Sequence, residues 1–102
     1  MRQTTETIQI YKETGAFAEN KDVARTLRQQ RIMPALERGD SLVIDFEGVS
    51  SATQSFVHAL ISEAMRRFGA DVLDRIDFKG CNQTLRQVIQ IVADYMQQSE
   101  AA

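Results

Sequence analysis

The run Leu42-Val43-Ile44-Asp45-Phe46 constrains this chain more than any other stretch. Successive residues of a strand point to opposite faces, so a nearly continuous apolar run predicts a central strand covered on both sides. Glu47-Gly48-Val49 then turns the chain, and Ser50, Ser51, Thr53 and Ser55 make the next stretch rich in hydroxyls. Phe56, Val57, Leu60, Ile61, Ala64, Met65 and Phe68 follow at the spacing of one broad apolar helix face. Ser51 and Gln54 have the serine-x-x-glutamine spacing of a capping box, which predicts a helix start near Ala52–Thr53. Residues 42–61 thus read as strand, turn, loop and helix start, with the remaining elements arranged around them.

Before this unit, residues 6–12 alternate, and Ile8 and Ile10 are expected on one face of a strand. Gly15 breaks the pattern, and Ala16-Phe17-Ala18 reads as a short second strand of a hairpin. Asn20 is a candidate N-cap for a helix from about Lys21 to Arg31, with Val23 and Leu27 at helical spacing. Pro34 disturbs that helix, through a kink or through a break with a new turn up to Leu36, and Gly39 suits its C-terminal end. Downstream, Val72, Leu73, Ile76 and Phe78 predict a strand. A last helix begins near Asn82 or Gln83, with Leu85, Val88, Ile89, Val92, Tyr95 and Met96 on one side. Residues 98–102 are expected to fray. Strands alternating with helices predict an α/β fold, a small mixed and mainly parallel sheet with about three helices. A chain of 102 residues makes one domain, 1–102.

Composition limits the function classes. Formal net charge is −2, which argues against a dedicated nucleic-acid binder. Cys81 is the single cysteine, so neither an intrachain disulfide nor a paired-cysteine metal knuckle is available. No apolar run reaches the roughly 20 residues that span a bilayer, so no membrane role is expected. The first residues, Met1-Arg2-Gln3-Thr4, lack the apolar core of a leader, and a cytoplasmic location is expected. There is no glycine-rich phosphate loop, and no cofactor is expected.

Several residues are candidates for chemistry. Ser50, Ser51, Thr53 and Ser55 lie near a helix N-terminus, where they can cap the helix or help hold a phosphate or carboxylate. Asp45 and Glu47 flank Phe46 near a strand end; a carboxylate pair can ligate metal or transfer protons, but no third ligand accompanies them. Asp45 is better placed to accept hydrogen bonds from loop amides and, with Gly48, to organise the loop. Arg25, Arg28 and Arg31 recur every three residues, as a solvated stripe or a docking surface for an acidic partner. His58 is the single histidine and makes no triad or zinc site by itself. Cys81 precedes a helix start, which would stabilise its thiolate, but a packed structural thiol is the expected role.

Val43-Ile44-Asp45-Phe46-Glu47-Gly48-Val49 and Ala52-Thr53-Gln54-Ser55-Phe56 resemble the STAS-like domains of unassigned function, as do Gly15-x-Phe17, Ala24-Arg25-x-Leu27 and Ile76-x-Phe78. More distantly, the stretch is similar to STAS domains of the anti-sigma-factor antagonist type. In those, an Asp-Ser-Ser-Gly sequence after the strand carries a serine phosphorylated by a partner kinase. Aligning Asp45 and Gly48-Val49 places Thr53, Gln54, Ser55 and Phe56 at those positions, so Ser55 alone is kept, as a possible phosphoacceptor. The resemblance implies a regulatory protein-interaction module with no catalytic residues, docking on a protein such as a histidine-kinase-like ATPase. The expected docking surface is Glu47, Ser51, Thr53, Gln54, Ser55 and Phe56, joined by Arg25 and Arg28. The alternative is a sensor of a small anion or nucleotide at the loops that follow the strands. Homodimerisation is a further expectation.

Overall fold

The computed structural model describes residues 4–101, with side chains described as far as Gln98. Most of the expected frayed tail, 98–102, therefore lies outside the described side chains. The element order is β1 (Thr5–Gln9), α1 (Ile10–Thr14), β2 (Phe17–Ala18), α2 (Lys21–Leu27), α3 (Met33–Glu37), β3 (Ser41–Asp45), β4 (Ser51–Ala52), α4 (Gln54–Phe68), β5 (Ile76–Lys79) and α5 (Gln83–Ala101). A wide π turn, Arg28–Ile32, joins α2 to α3, and a 3₁₀ turn, Ala70–Arg75, precedes β5. The fold is mixed α/β, and every strand pair in the described residues is parallel.

The principal sheet has the order β1-β3-β5, with β3 in the centre as its apolar run predicts. Its register brings Ile8, Ile44 and Phe78 into one row and Leu42 and Ile76 into the next. These residues are buried or partly buried and join the core beneath the helices. The opposite face is different. Val43 lies between Thr7 and Asp77, and Asp45 between Gln9 and Lys79, and none of these residues is buried. The expectation that β3 is covered on both faces is therefore corrected. Val43 is the one apolar residue that β3 turns outward; Ser41 and Asp45 beside it are polar. That is the alternation of a half-covered strand.

Three local expectations also change. Ile10 is fully buried, but it begins α1 rather than extending β1. Apolar residues two apart do not distinguish a strand from a strand that bends into a helix. The hairpin is absent: β2 pairs in parallel with β4, Phe17 opposite Ser51 and Ala18 opposite Ala52. Residues 70–75 form the 3₁₀ turn, and the strand begins only at Ile76.

Pro34 acts through the π turn. The Met33 N–H donates to the Arg28 carbonyl, five residues back, and α3 follows with proline in its first turn. A proline ring crowds the carbonyl four residues before it. The widened turn relieves that crowding without breaking the chain direction. The linkage beyond α3 is fixed by Arg75, whose Nη2 donates to the carbonyls of Leu36 and Asp40 at 2.9 Å each. Asp40 in turn accepts from the Thr4 hydroxyl and from Arg38 Nε. The Thr4 hydrogen bond, followed by Arg38, holds the Asp40 carboxyl below the ordinary carboxylate value.

Candidate functional site

The turn after β3 is tied on every side. Asp45 Oδ1 accepts from the Glu47 N–H at 2.9 Å, and the Phe46 N–H donates to the Lys79 carbonyl at 2.8 Å. Gly48 has φ +90°, and a Cβ there would lie 2.9 Å from the Tyr11 ring. Gly80, at φ +69°, approaches the same turn closely: its Cβ would meet the Glu47 nitrogen at 2.7 Å. Asn82 Nδ2 donates to the Ser50 carbonyl at 2.9 Å, and the Ser50 and Thr53 amides donate to the Ala16 and Ala18 carbonyls. Asp45 thus holds the Glu47 amide, and Gly48 supplies the positive φ of the turn. The amides of Phe46, Glu47, Val49, Ser50, Ser51 and Thr53 are all committed to the loop or its neighbours.

The helix start lies two residues beyond the expected cap. Ser51 belongs to β4; Thr53 is the N-cap of α4, and its Oγ1 accepts from the Phe56 N–H at 3.1 Å. Pairing with β2 holds Ser51 extended, and this overrides the capping-box spacing. Phe56 is 0% exposed, which corrects its expected contact with a partner. Its side chain anchors the first turn of α4 in the core, the position its place on the apolar stripe requires.

The chief concavity is elsewhere. A groove of about 590 Å³ lies over α4, between α2 and α5. The α2 wall presents Lys21, Arg25 and Arg28, which are four and then three residues apart and so share one helix face. The floor carries Gln54, Ser55, His58 and Ser62, and ends at Arg66. The α5 wall is Ile91, Val92 and Tyr95. Ile91 and Tyr95 are 50% and 60% exposed, although Tyr95 was expected on the buried side of this helix. The Tyr95 and His58 rings lie with centroids 6.3 Å apart, tilted by 59°. Among the described residues, no carboxylate lines this space. Arg25 pairs with Asp22 at 3.1 Å and Arg66 with Glu63 at 3.7 Å, both as exposed neighbours on their own helices. Such pairs are worth little and exchange readily.

The structure thus brings together Arg25, Arg28, Gln54 and Ser55 from the expected docking set. It sets Glu47, Ser51, Thr53 and Phe56 apart from them. Arg31 also leaves the expected stripe, because the π turn rotates it toward the sheet. Its Nε bonds Glu6 at 2.6 Å, and its Nη2 donates to the Thr7 carbonyl at 3.1 Å, along the outer edge of β1. Lys21, Arg66, His58, Ser62, Ile91 and Tyr95 are groove residues that sequence reasoning missed. The spacing of Lys21 with Arg25 and Arg28 was the available signal; the floor and far wall carried none.

Two other sites have less scope. Among the described residues, no three His, Cys, Asp or Glu side chains are grouped to hold a metal ion. Asp45 and Glu47 share a space of about 240 Å³ with Gln9, Tyr11 and Lys12. Two carboxylates there repel an anion, so the strand-end loops suit the sensor alternative poorly. Burial pushes the Cys81 thiol up, with Arg86 opposing, which favours a packed thiol over a reactive one. Among the described residues, no helix is long and apolar enough to cross a membrane.

Neither the curated proteins nor the solved structures contain a significant match to the chain. The family comparison matches residues 23–86, from α2 to the first turn of α5, to the STAS-like domain of unknown function (DUF4325). That match spans well over half of the 102 residues. With the parallel β1-β3-β5 sheet, it supports one conclusion: the chain belongs to this STAS-like domain family.

Proposed function

We propose that this chain is a non-enzymatic regulatory module that docks an acidic protein partner in the groove between α2, α4 and α5. One observation carries the reading: Lys21, Arg25, Arg28 and Arg66 line a concave surface whose lining, among the described residues, includes no carboxylate. Charge of one sign around a groove raises both the encounter rate and the selectivity for a partner of opposite sign. The expected docking residues Gln54 and Ser55 lie at the mouth of the same groove, beside the first amides of α4, which helix geometry leaves without intrahelical acceptors. The partner class suggested by the family resemblance is a histidine-kinase-like ATPase, and the proposed location is the cytoplasm.

Affinity capture from the native organism, followed by the double variant Arg25→Glu/Arg28→Glu, tests this function. A specific protein that the native chain retains and the double variant loses supports it. Equal retention by a folded double variant would place docking elsewhere and remove the proposal.

A second reading is favoured by the exposure of Ser55 within this basic groove. A partner kinase would transfer the γ-phosphoryl group of ATP to Ser55 Oγ, releasing ADP and the hydroxyl proton. The added charge would sit among the arginines and compete with an acidic partner. Mass spectrometry of the natively purified chain decides it: phosphate on Ser55 supports the switch, and unmodified Ser55 under both resting and stimulated conditions eliminates it.

A further inference from the structure

The groove is two-sided, and its two sides call for one kind of occupant. Its α2 wall is cationic through Lys21, Arg25 and Arg28; its α5 wall is apolar through Ile91 and Tyr95. These walls run along α4 from Gln54 to Arg66, about 18 Å at the rise of a helix. The three α2 cations alone are spread over about 10 Å of helix axis. A single compact phosphate would reach only part of that array. It would also leave Ile91 and Tyr95 uncovered, and these are two of the four large apolar side chains that the described residues expose.

We infer that the occupant is an amphipathic helix of the partner protein, laid along α4 with an acidic edge against α2 and an apolar edge against α5. The inference rests on reading the groove as the docking surface and specifies what fills it. Carboxylates at positions i, i+4 and i+7 of the incoming helix repeat the spacing of Lys21, Arg25 and Arg28. Apolar residues on the adjoining stripe cover Ile91 and Tyr95. The arrangement is the helix-in-groove mode, in which an apolar face supplies burial and flanking charges supply register. The partner helix contributes acidity, so the weak pairs Arg25–Asp22 and Arg66–Glu63 can open in favour of the incoming carboxylates.

The test is fluorescence anisotropy of the full chain with a labelled, designed peptide of about four helical turns, bearing glutamates on one stripe and leucines on the next. A second peptide has the same composition with the stripes scrambled. The patterned peptide is expected to bind at least about tenfold more tightly than the scrambled one, a difference of about 1.4 kcal/mol. Arg25→Glu/Arg28→Glu is expected to lower that affinity at least about tenfold, and a peptide with lysines replacing the glutamates is expected to recover it. Tyr95→Glu, on the exposed wall, gives an independent loss without touching the arginines. Equal binding of both peptides, with both weakened by arginine reversal, would overturn the helical occupant while leaving acidic docking in place. Binding indifferent to the arginine reversal would overturn both. ATP or inorganic phosphate displacing the patterned peptide at lower concentration than the peptide itself needs would assign the groove to a small anion instead.

Discussion

The turn after β3 and the groove over α4 lie at the two ends of one decision: where a polar group directs its hydrogen bonds. The turn holds the more conspicuous residues, a carboxylate pair and a row of hydroxyls, yet most of its amides are bound within the turn or to the segments at Ala16–Ala18 and Lys79–Asn82. The groove is assembled from ordinary-looking helix positions, and its arginines make only loose contacts: Arg25 with Asp22, Arg66 with Glu63, and Arg28 with the Ala59 carbonyl at 3.5 Å. A buried or stapled polar group has its hydrogen-bonding capacity filled from within. A groove cation whose carboxylate partner is an exposed neighbour on its own helix, as Asp22 is for Arg25 and Glu63 for Arg66, can exchange that partner for another. Polar density along a sequence therefore marks the scaffold here, and the recognition surface lies where polar groups from separate helices meet.

That contrast predicts a hierarchy of mutational effects, beginning in the core below the turn. Phe56→Ala should destabilise the fold by about 3–5 kcal/mol in denaturant unfolding, since the ring is fully buried. A loss near zero would mean that Phe56 is not the anchor of α4. Next comes Gly80→Ala, for which about 2–3 kcal/mol is expected from a positive φ together with the contact on Glu47. If this variant matches the native stability, the turn is more compliant than the stapled description allows.

The N-cap separates two neighbouring hydroxyls. Thr53→Ala should cost about 1 kcal/mol, and Ser51→Ala distinctly less, because Thr53 holds the Phe56 amide. The reverse order would restore the capping-box reading. The smallest stability effects belong to the groove wall, where Ile91→Ser should remain within about 0.5 kcal/mol of native, given its exposure. A large loss there would make the wall a structural surface.

Acid titration probes the tie between α3 and the sheet. The carboxyl of Asp40 is held below its ordinary value by Thr4 and Arg38, so it stabilises the fold above the unfolded value of about 4. That contribution disappears as pH falls through the depressed native value. Asp40→Asn should remove this part of the pH dependence, flattening the stability curve on the acid side. An unchanged acid limb would show that other carboxylates govern it.

The sequence displayed the scaffold more clearly than the site, for reasons traceable to particular residues. Leu42–Phe46, Gly48 and the stripe from Phe56 to Phe68 are local patterns, and each corresponds to an observed element or turn. Pro34 announced a disturbance, which took the form of a π turn. The short strand at Ala16–Ala18 was legible, but its partner β4 was not, because two residues carry no period; their pairing comes from the chain segments that the turn holds together. The bare sheet face was disguised by Val43, a lone outward apolar residue between two inward ones. The groove was least legible of all, since Lys21, Ser55 and Tyr95 are far apart in sequence and meet only when α2, α4 and α5 pack. Lys21 and the α5 wall also lie outside the matched family segment, so the basic and apolar sides are only partly features of the shared region.

The most direct test is an NMR chemical-shift map of the isotope-labelled chain bound to its captured partner. Shifts concentrated at Lys21–Arg28, Ser55–Arg66 and Val88–Tyr95, with the Phe46–Ser50 turn little changed, are the predicted result. Shifts concentrated at Glu47–Ser51, with the arginine-lined groove unperturbed, would contradict the assignment of recognition to the groove.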